Sequence, residues 1–253
     1  MRRTRLLPIS PLAAAAALLM TAGPVAQSAQ HYALESAEGL RLFNSAASAV
    51  VHEGRRAVRI TMSDAAQGDL AGMAAAERAK FIASGVTNDY LAVLPGSVFG
   101  NGTIEAEIAG APQSGATEGA RGFVGIAFRV QADLRTYDAF YLRPTNGRAD
   151  DQVRRNHSTQ YISHPAWTWS RLRTEEPKKY ESYVDLVPGA WTKVRIEVDG
   201  VRARLYVHDS PEPVLIVNDL KTGPDTRGAV ALWIDVGTEA HFRNVTVRPV
   251  PSR

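Results

Sequence analysis

The chemically richest part of the chain is a polar segment between residues 145 and 169, TNGRADDQVRRNHSTQYISHPAWTW. It combines amides, guanidinium groups, carboxylates and imidazoles with two tryptophans. Planar donors and acceptors of this kind can bind neighbouring hydroxyl groups of a sugar, and an aromatic ring can stack on the apolar face of a pyranose. The segment therefore predicts a saccharide or glycan as the ligand. Its candidate binding residues are Asn146, Arg148, Asn156, Gln160, Tyr161, His164, Trp167 and Trp169.

Two strand-like runs, GFVGIAFRV and YDAFYLRP, precede this segment and must position it. Apolar side chains alternate with small or polar ones in both runs, so each strand has one face for a core. On the other face, Arg129, Tyr141 and Arg143 accompany glycine and alanine. We expect the small residues to form the floor of a groove on a concave sheet, and these three side chains to form its walls. The alternative is an ordinary solvated sheet face.

The sequence does not indicate a cofactor. It contains no cysteine, which excludes disulfides, thiolate nucleophiles and cysteine metal sites. His157 and His164 are seven residues apart, which is not the spacing of a zinc site. A structural calcium ion is possible but not indicated, because no Asp-x-Asp-x-Asp loop is present.

The first 29 residues have the pattern of an export signal. Three arginines precede the apolar run PLAAAAALLM, and small residues follow near Ser28 and Ala29, where cleavage is expected. The apolar run is shorter than the roughly 20 residues that a membrane-spanning helix needs, and no later run is apolar enough for such a helix. We therefore predict a single mature domain, residues 30–253, outside the cytoplasm, either in the periplasm or secreted.

The charge balance of the mature domain argues against one class of partner. The full chain has 29 Lys and Arg against 26 Asp and Glu, and three of the arginines lie in the export signal. The mature domain therefore has no net charge with which to attract nucleic acid or an anionic membrane surface. The sequence does not reveal a protein partner.

The spacing of apolar residues predicts an all-β fold. Strand patterns follow residue 190 in WTKVRIEVDG, VRARLYVHD, PVLIVNDL, GAVALWIDVG and AHFRNVTVRPV, separated by Gly, Pro, Asn or Asp. Such close spacing is typical of an antiparallel sandwich or barrel. The exception is residues 70–84, where apolar residues recur at helical spacing among alanines and predict one short inserted helix.

The order of these motifs resembles a known family. NGTIEAEI, the pair RGFVGIAFRV and YDAFYLRPTNGR, the hairpin WTKVRIEVDGVRARLYV and the closing GAVALWIDVGTEAHFRNVTV are similar to the concanavalin A-like lectin/glucanase superfamily. Within it, they resemble laminin-G-like jelly rolls related to the 3-keto-disaccharide hydrolase domain. The resemblance spans about Tyr32 to Val250 and implies a two-sheet antiparallel jelly-roll sandwich whose concave sheet often meets saccharides. The chain departs from the family in its helical insertion and in lacking the glucanase acid cluster.

The resemblance leaves three functions open. The first is saccharide binding in the groove of the concave sheet. The second is a 3-keto-glycoside hydrolase or lyase, in which His157 would be the base because its ordinary pKa lies near neutrality. Arg143 or Arg155 would polarise the ketone, and Asp235 or Glu181 would donate a proton to the leaving oxygen. The third is a structural or protein-interaction module, a role that such sandwiches also serve.

Overall fold

A computed structural model describes residues 28–84, 89–117 and 119–250 of the chain. The predicted export signal, residues 1–29, lies outside the described residues except for its last two positions. Within the described ranges no helix is both long enough and apolar enough to cross a membrane.

Strands dominate the described chain and form two antiparallel sheets. They are β1 (Gln30–Tyr32), β2 (Arg41–Phe43), β3 (Ser45–His52), β4 (Arg55–Met62), β5 (Tyr90–Val93), β6 (Asn101–Pro112), β7 (Val124–Val130), β8 (Tyr137–Leu142), β9 (Thr159–His164), β10 (Glu181–Ser182), β11 (Thr192–Asp199), β12 (Arg202–Val207), β13 (Leu215–Val217), β14 (Ala229–Ile234) and β15 (Thr238–Val250). The first sheet has the order β13-β12-β11-β6-β15-β4-β3, with β1 also paired to β15. The second has the order β10-β9-β8-β7-β14-β5-β2. The predicted all-β, two-sheet sandwich is therefore confirmed.

Short helices are inserted between the strands. Within the described residues they are α1 (Asp64–Gly72), α2 (Ala75–Ser84), α3 (Gln152–Asn156) and α4 (Trp169–Glu175), and Pro144–Asn146 forms a 3-10 turn. The prediction of one helix at 70–84 is wrong in extent, because α1 and α2 both occupy the insertion. Ser63 begins α1 earlier by accepting a hydrogen bond from the Ala66 backbone N–H. Met73 then adopts an extended backbone (φ −69°, ψ 142°) that separates the two helices.

The hydrophobic core lies between the two sheets. Val124, Ile126 and Phe128 of β7 and Phe140 of β8 are each at most 2% exposed. A Cβ atom placed on Gly110 of β6 would lie 2.7 Å from Val124 Cγ1, so this face of the second sheet points directly at the first. The apolar faces that alternation predicts for β7 and β8 are therefore the core faces.

The opposite, outer face of the second sheet is also buried. Gly125 of β7 pairs with Tyr141 of β8 on one side and with Trp233 of β14 on the other. The two aromatic rings stack with centroids 4.6 Å apart. Because β7 separates their strands, the rings must lean over the glycine to meet. The small residues that were expected to form an open floor are thus covered by aromatic side chains.

The polar segment is not an open loop, because strand β9 lies inside it and pairs with β8. Alternation along β9 sends Gln160 and His164 to the outer face and Tyr161 to the core face. Tyr161 is fully buried, and its hydroxyl group donates to Asp138 Oδ1 at 2.6 Å. The predicted role of Tyr161 in ligand binding is therefore wrong.

Arg129 does not share a face with Tyr141, so this prediction is also wrong. A φ of 56° at Arg129 and a register shift against β14 mark a β-bulge, which reverses the direction of the side chain. The buried guanidinium donates to Gly200 O at 2.8 Å and Gly223 O at 2.7 Å, and it lies 3.9 Å from Asp138. Arg129 therefore holds loops at the end of the sandwich and cannot line a groove.

The aromatic rings packed over Gly125 predict what a larger side chain at this position would do. A Cβ atom at this position would lie 2.5 Å from Tyr141 Cβ and 2.2 Å from Phe140 O. Gly125→Ala should therefore lower the free energy of unfolding by at least about 2 kcal/mol. Gly68→Ala is the matched control, because Gly68 lies inside α1 and no atom is within 4 Å of its Cβ position. This change should raise the free energy of unfolding by roughly 0.5–1 kcal/mol, since alanine favours a helix more than glycine does. Urea unfolding measures both, and equal stability of the two variants would contradict this packing.

Candidate functional site

A cavity of about 900 Å³ opens at the end of the second sheet where β8 and β14 finish. Arg143 directly follows β8, Asp235 directly follows β14, and both side chains line the cavity. Ile82 of α2, Phe123 before β7 and Trp169 at the start of α4 line other parts of it. The cavity therefore combines charged groups from the ends of the sheet with apolar groups from the helices.

A single buried carboxylate, that of Glu181 in β10, joins three elements beside the cavity. Its side chain is 4% exposed, and Oε1 accepts a hydrogen bond from Arg143 Nη1 at 3.1 Å. Arg173 of α4 donates from Nη2 to Oε1, and from Nε to Oε2 at 3.2 Å. His157 follows α3, and its Nε2 lies 3.4 Å from Oε2. One negative charge thus connects the end of β8, the helix α4 and the turn after α3.

The pKa values in this cluster follow from burial and from the two guanidinium groups. Burial acts to raise the pKa of Glu181, but the hydrogen bond from Arg173 and the charge of Arg143 outweigh it and leave the pKa below its ordinary value. Burial lowers the pKa of His157, an effect that Glu181 opposes and Arg173 reinforces. At neutral pH, Glu181 is ionised and His157 is neutral.

Arg143 is occupied by its neighbours. Nη1 donates to His157 O at 3.1 Å as well as to Glu181, and Nη2 donates to Tyr141 Oη and Gln160 Oε1, both at 2.7 Å. Tyr141 and Gln160 are at most 1% exposed, so they lie beneath the cavity wall. Their predicted direct contact with a ligand is wrong, and they position Arg143 instead.

Asp235 is an acid with an unusual environment. It is 5% exposed, and burial raises its pKa to about 6 although the hydrogen bond from Val236 N, at 2.7 Å, acts in the opposite direction. A carboxyl group with this pKa carries a proton part of the time near neutral pH. It can therefore act as a proton donor to a group bound in the cavity.

A buried polar network lies on the outer face of the same sheet. Asp89 Oδ1 accepts a hydrogen bond from Tyr137 Oη and lies 2.6 Å from His164 Nδ1, while Trp233 Nε1 donates to Tyr137 Oη at 3.0 Å. His164 Nε2 is buried without a hydrogen-bond partner among the described residues. His164 does not line the cavity, so its predicted binding role is wrong for this site.

Three polar candidates of the segment point away from the cavity. Arg148 is exposed and donates from Nε and Nη2 to Asp185, both at 2.8 Å. Arg155 donates to Tyr183 Oη at 2.8 Å. Asn156 is exposed on α3. None of these three residues lines the cavity, so their predicted contacts with a ligand are not part of this site.

The two tryptophans of the segment have different surroundings. The Trp167 ring is flanked by Arg171, at 3.9 Å from its centroid, and by Lys221 at 4.5 Å. Trp167 does not line the cavity, so its predicted binding role is wrong there. Trp169 does line it, with the guanidinium of Arg173 4.9 Å from its ring centroid.

The structure brings some predicted residues together in the cavity and adds others. The predicted residues in its lining are Arg143, Asn146, His157, Trp169 and Asp235. Sequence reasoning missed Arg154, Arg173, Phe123 and Ile82. Within residues 28–84, 89–117 and 119–250, no group of three or more His, Asp or Glu side chains is placed to hold a metal ion.

One local signal could have identified Arg154 in place of Arg155. Asp151 is the N-cap of α3, and its side chain accepts a hydrogen bond from the Arg154 backbone N–H at 2.7 Å. This cap begins a helical turn, on which neighbouring residues project about 100° apart. The two arginines therefore project in different directions, and the structure places Arg154, but not Arg155, in the cavity lining.

The shared carboxylate predicts a large effect of Glu181→Gln. The change leaves Arg143, whose side chain is 6% exposed, without a counter-charge, and it should lower the free energy of unfolding by roughly 3–5 kcal/mol. Asp185→Asn is the control, because it breaks the exposed ion pair with Arg148 and should cost less than about 1 kcal/mol. Denaturant titration at pH 7 compares the two variants. A decrease of less than about 1 kcal/mol in the free energy of unfolding of Glu181→Gln would contradict the role of Glu181 as the shared counter-charge.

Asp235→Asn should stabilise the protein at neutral and higher pH. The pKa of Asp235 is about 6 in the fold against an ordinary value of 3.8, so the folded form binds the extra proton between these values. Its stability therefore falls as the pH rises through 6. The asparagine variant does not ionise at this position. Its free energy of unfolding should therefore exceed that of the wild type by about 2–3 kcal/mol at pH 8 but differ little from it at pH 4. Unfolding measured at both pH values tests the sign, and an equal difference at both would contradict it.

The fold is similar to solved structures at low sequence identity. The carbohydrate-binding module CBM66 from Bacillus subtilis aligns with a TM-score of 0.51 and 14% identity, over 82% of this chain and 94% of the module. A protein of unknown function with a galectin-like fold, also from Bacillus subtilis, aligns with a TM-score of 0.51 and 11% identity, over 90% of this chain and 99% of that protein. No protein-family model and no curated protein sequence matches the chain. The predicted two-sheet antiparallel sandwich is thus confirmed as the fold.

Proposed function

We propose that the protein binds a saccharide in the cavity at the end of the second sheet. The observation that carries this proposal is the combination of apolar side chains, from Ile82, Phe123 and Trp169, with planar polar groups from Asn146 and Arg154 in one cavity. Pyranose rings have the same two-sided character, because C–H groups cover their faces and hydroxyl groups surround their edges. The location outside the cytoplasm, which the export signal predicts, is part of the same proposal.

The polar groups of the cavity are held in place by the protein itself. Asn146 Nδ2 donates to His157 O at 3.0 Å, and Asn146 Oδ1 accepts from Arg154 Nε at 2.9 Å. Arg154 Nη2 also donates to Thr145 Oγ1 at 3.2 Å. Because these side chains are already ordered, less binding free energy is lost to fixing them when a sugar arrives.

A module of similar architecture is consistent with this proposal. CBM66, which shares the fold, is by name a carbohydrate-binding module. At 14% identity this likeness extends to the fold, so the proposed contacts are taken from the cavity of this chain and not from the module.

A second candidate function is proton-transfer catalysis on a keto-sugar in the same cavity. It is favoured by Asp235, whose pKa of about 6 suits a proton donor to a leaving oxygen. His157 is neutral at pH 7, because burial lowers its pKa, and can accept the proton beside a ketone. Arg143 is less suited to polarise that ketone, since both of its Nη atoms donate to protein groups. Arg173, which also lines the cavity, is better placed for this role.

Calorimetric titration of the mature domain with disaccharides and oligosaccharides tests the binding proposal. Trp169→Ala should weaken binding on the order of tenfold, because the change removes an aromatic face from the cavity. Trp167→Ala is the matched control, because its ring lies outside the cavity, and it should bind as the wild type does. Melting temperatures establish that both variants are folded. Equal losses in both variants, or no binding by the wild type, would contradict the proposed site.

Product release from ordinary and 3-keto disaccharides separates the two candidates. Saturable binding without product favours the binding function alone. Turnover that is abolished in both His157→Ala and Asp235→Asn, while binding persists, favours catalysis. If the wild type neither binds nor converts any sugar, both functions are excluded.

A further inference from the structure

We infer that the saccharide held in this cavity is acidic and carries a carboxylate or sulfate group that contacts Arg154. The inference rests on the proposed binding function and names the substrate class. Its basis is the Arg154 guanidinium, which lines the cavity and has no carboxylate partner among the described residues.

Arg154 is fixed by neutral groups only. Its Nε donates to Asn146 Oδ1 at 2.9 Å and its Nη2 to Thr145 Oγ1 at 3.2 Å. Among the described residues no carboxylate oxygen lies within 4.0 Å of its guanidinium. Asp151 Oδ1 contacts the Arg154 backbone N–H at 2.7 Å and not its side chain. A half-buried cation with two nitrogens fixed and no counter-charge is suited to receive an anion.

Two arginines that line the cavity each have one nitrogen without a hydrogen-bond partner among the described residues. Arg154 lines the cavity, and Nη1 makes no hydrogen bond to any described residue. Arg173 also lines the cavity, and its Nε and Nη2 are directed at Glu181, which leaves its Nη1 without a partner in the described chain. Each arginine therefore presents one unused nitrogen from a side chain that is already oriented.

The neighbouring ion pairs do not supply Arg154 with a counter-charge. Arg143 and Arg173 share one carboxylate, that of Glu181. The cavity lining itself contains two acids, Asp151 and Asp235, and neither forms an ion pair with the Arg154 guanidinium. Arg154 therefore keeps its positive charge without a carboxylate partner among the described residues.

An acidic sugar suits the Arg154 guanidinium better than a neutral sugar does. A carboxylate or sulfate oxygen on Arg154 would form a charge-assisted hydrogen bond, which is roughly twice as strong as a neutral one. A neutral hydroxyl group in the same place would leave the partly desolvated guanidinium without its counter-charge. The planar guanidinium also suits the paired oxygens of either anion.

Oligogalacturonides and their methyl esters form the test, because both have the same backbone and the esters lack the charge. Sulfated galactan oligosaccharides and unsulfated galactan form the second pair. Calorimetric titration of the mature domain should give at least about tenfold tighter binding of the charged member of one pair. In Arg154→Gln this preference should fall to less than about threefold, because the charged member loses more affinity than the neutral member does. Arg148→Gln is the matched control, since Arg148 lies outside the cavity, and it should keep the preference.

The outcomes separate this inference from the proposed function. Tighter binding of the uronate or of the sulfate supports it and identifies which anion the site takes. Equal binding of charged and neutral members overturns it but leaves saccharide binding intact, whereas no binding of either overturns the proposed function. If Arg154→Gln does not fold, the wild-type affinities decide: binding of the charged sugar must weaken more with added NaCl than that of its neutral partner, and equal salt dependence overturns the inference.

Discussion

The structure around the cavity depends on one buried negative charge, that of Glu181. A carboxylate with 4% exposure is stable only when nearby positive groups replace the water it has lost. Arg143 at the end of β8 and Arg173 on α4 supply those groups. Because separating the strand from the helix would leave charges buried and unpaired, Glu181 stabilises the contact between these two elements beside the cavity.

Burial of the second sheet on both faces explains why the cavity lies at its end. Strands β7, β8 and β9 are buried at every position, and the stacked rings of Tyr141 and Trp233 fill the space above Gly125. Open space therefore begins where the strands stop and their last residues meet α2 and α4. The small side chains of this sheet serve ring packing, whereas in an uncovered sheet they would leave a groove.

The sandwich itself could be predicted from the sequence because period-two alternation and turn residues are local signals. The same alternation failed at Arg129, since one residue with positive φ reverses every expectation about side-chain direction. Strand β9 was not predicted because its sequence, TQYISH, is mostly polar, and its burial depends on long-range pairing with β8. The composition of the polar segment did indicate His157, Asn146 and Trp169, but only tertiary structure places them with Asp235.

The lengths of the outermost strands have a consequence for aggregation. β10 and β2 at the margins of the second sheet have two and three residues, and β13 at one margin of the first has three. Such short edges offer an incoming strand few unpaired backbone groups. β3, at the other margin of the first sheet, has eight residues and exposes Val51 at 69%. Edge-to-edge association of folded molecules would therefore find its best template along β3, on a different sheet from the cavity.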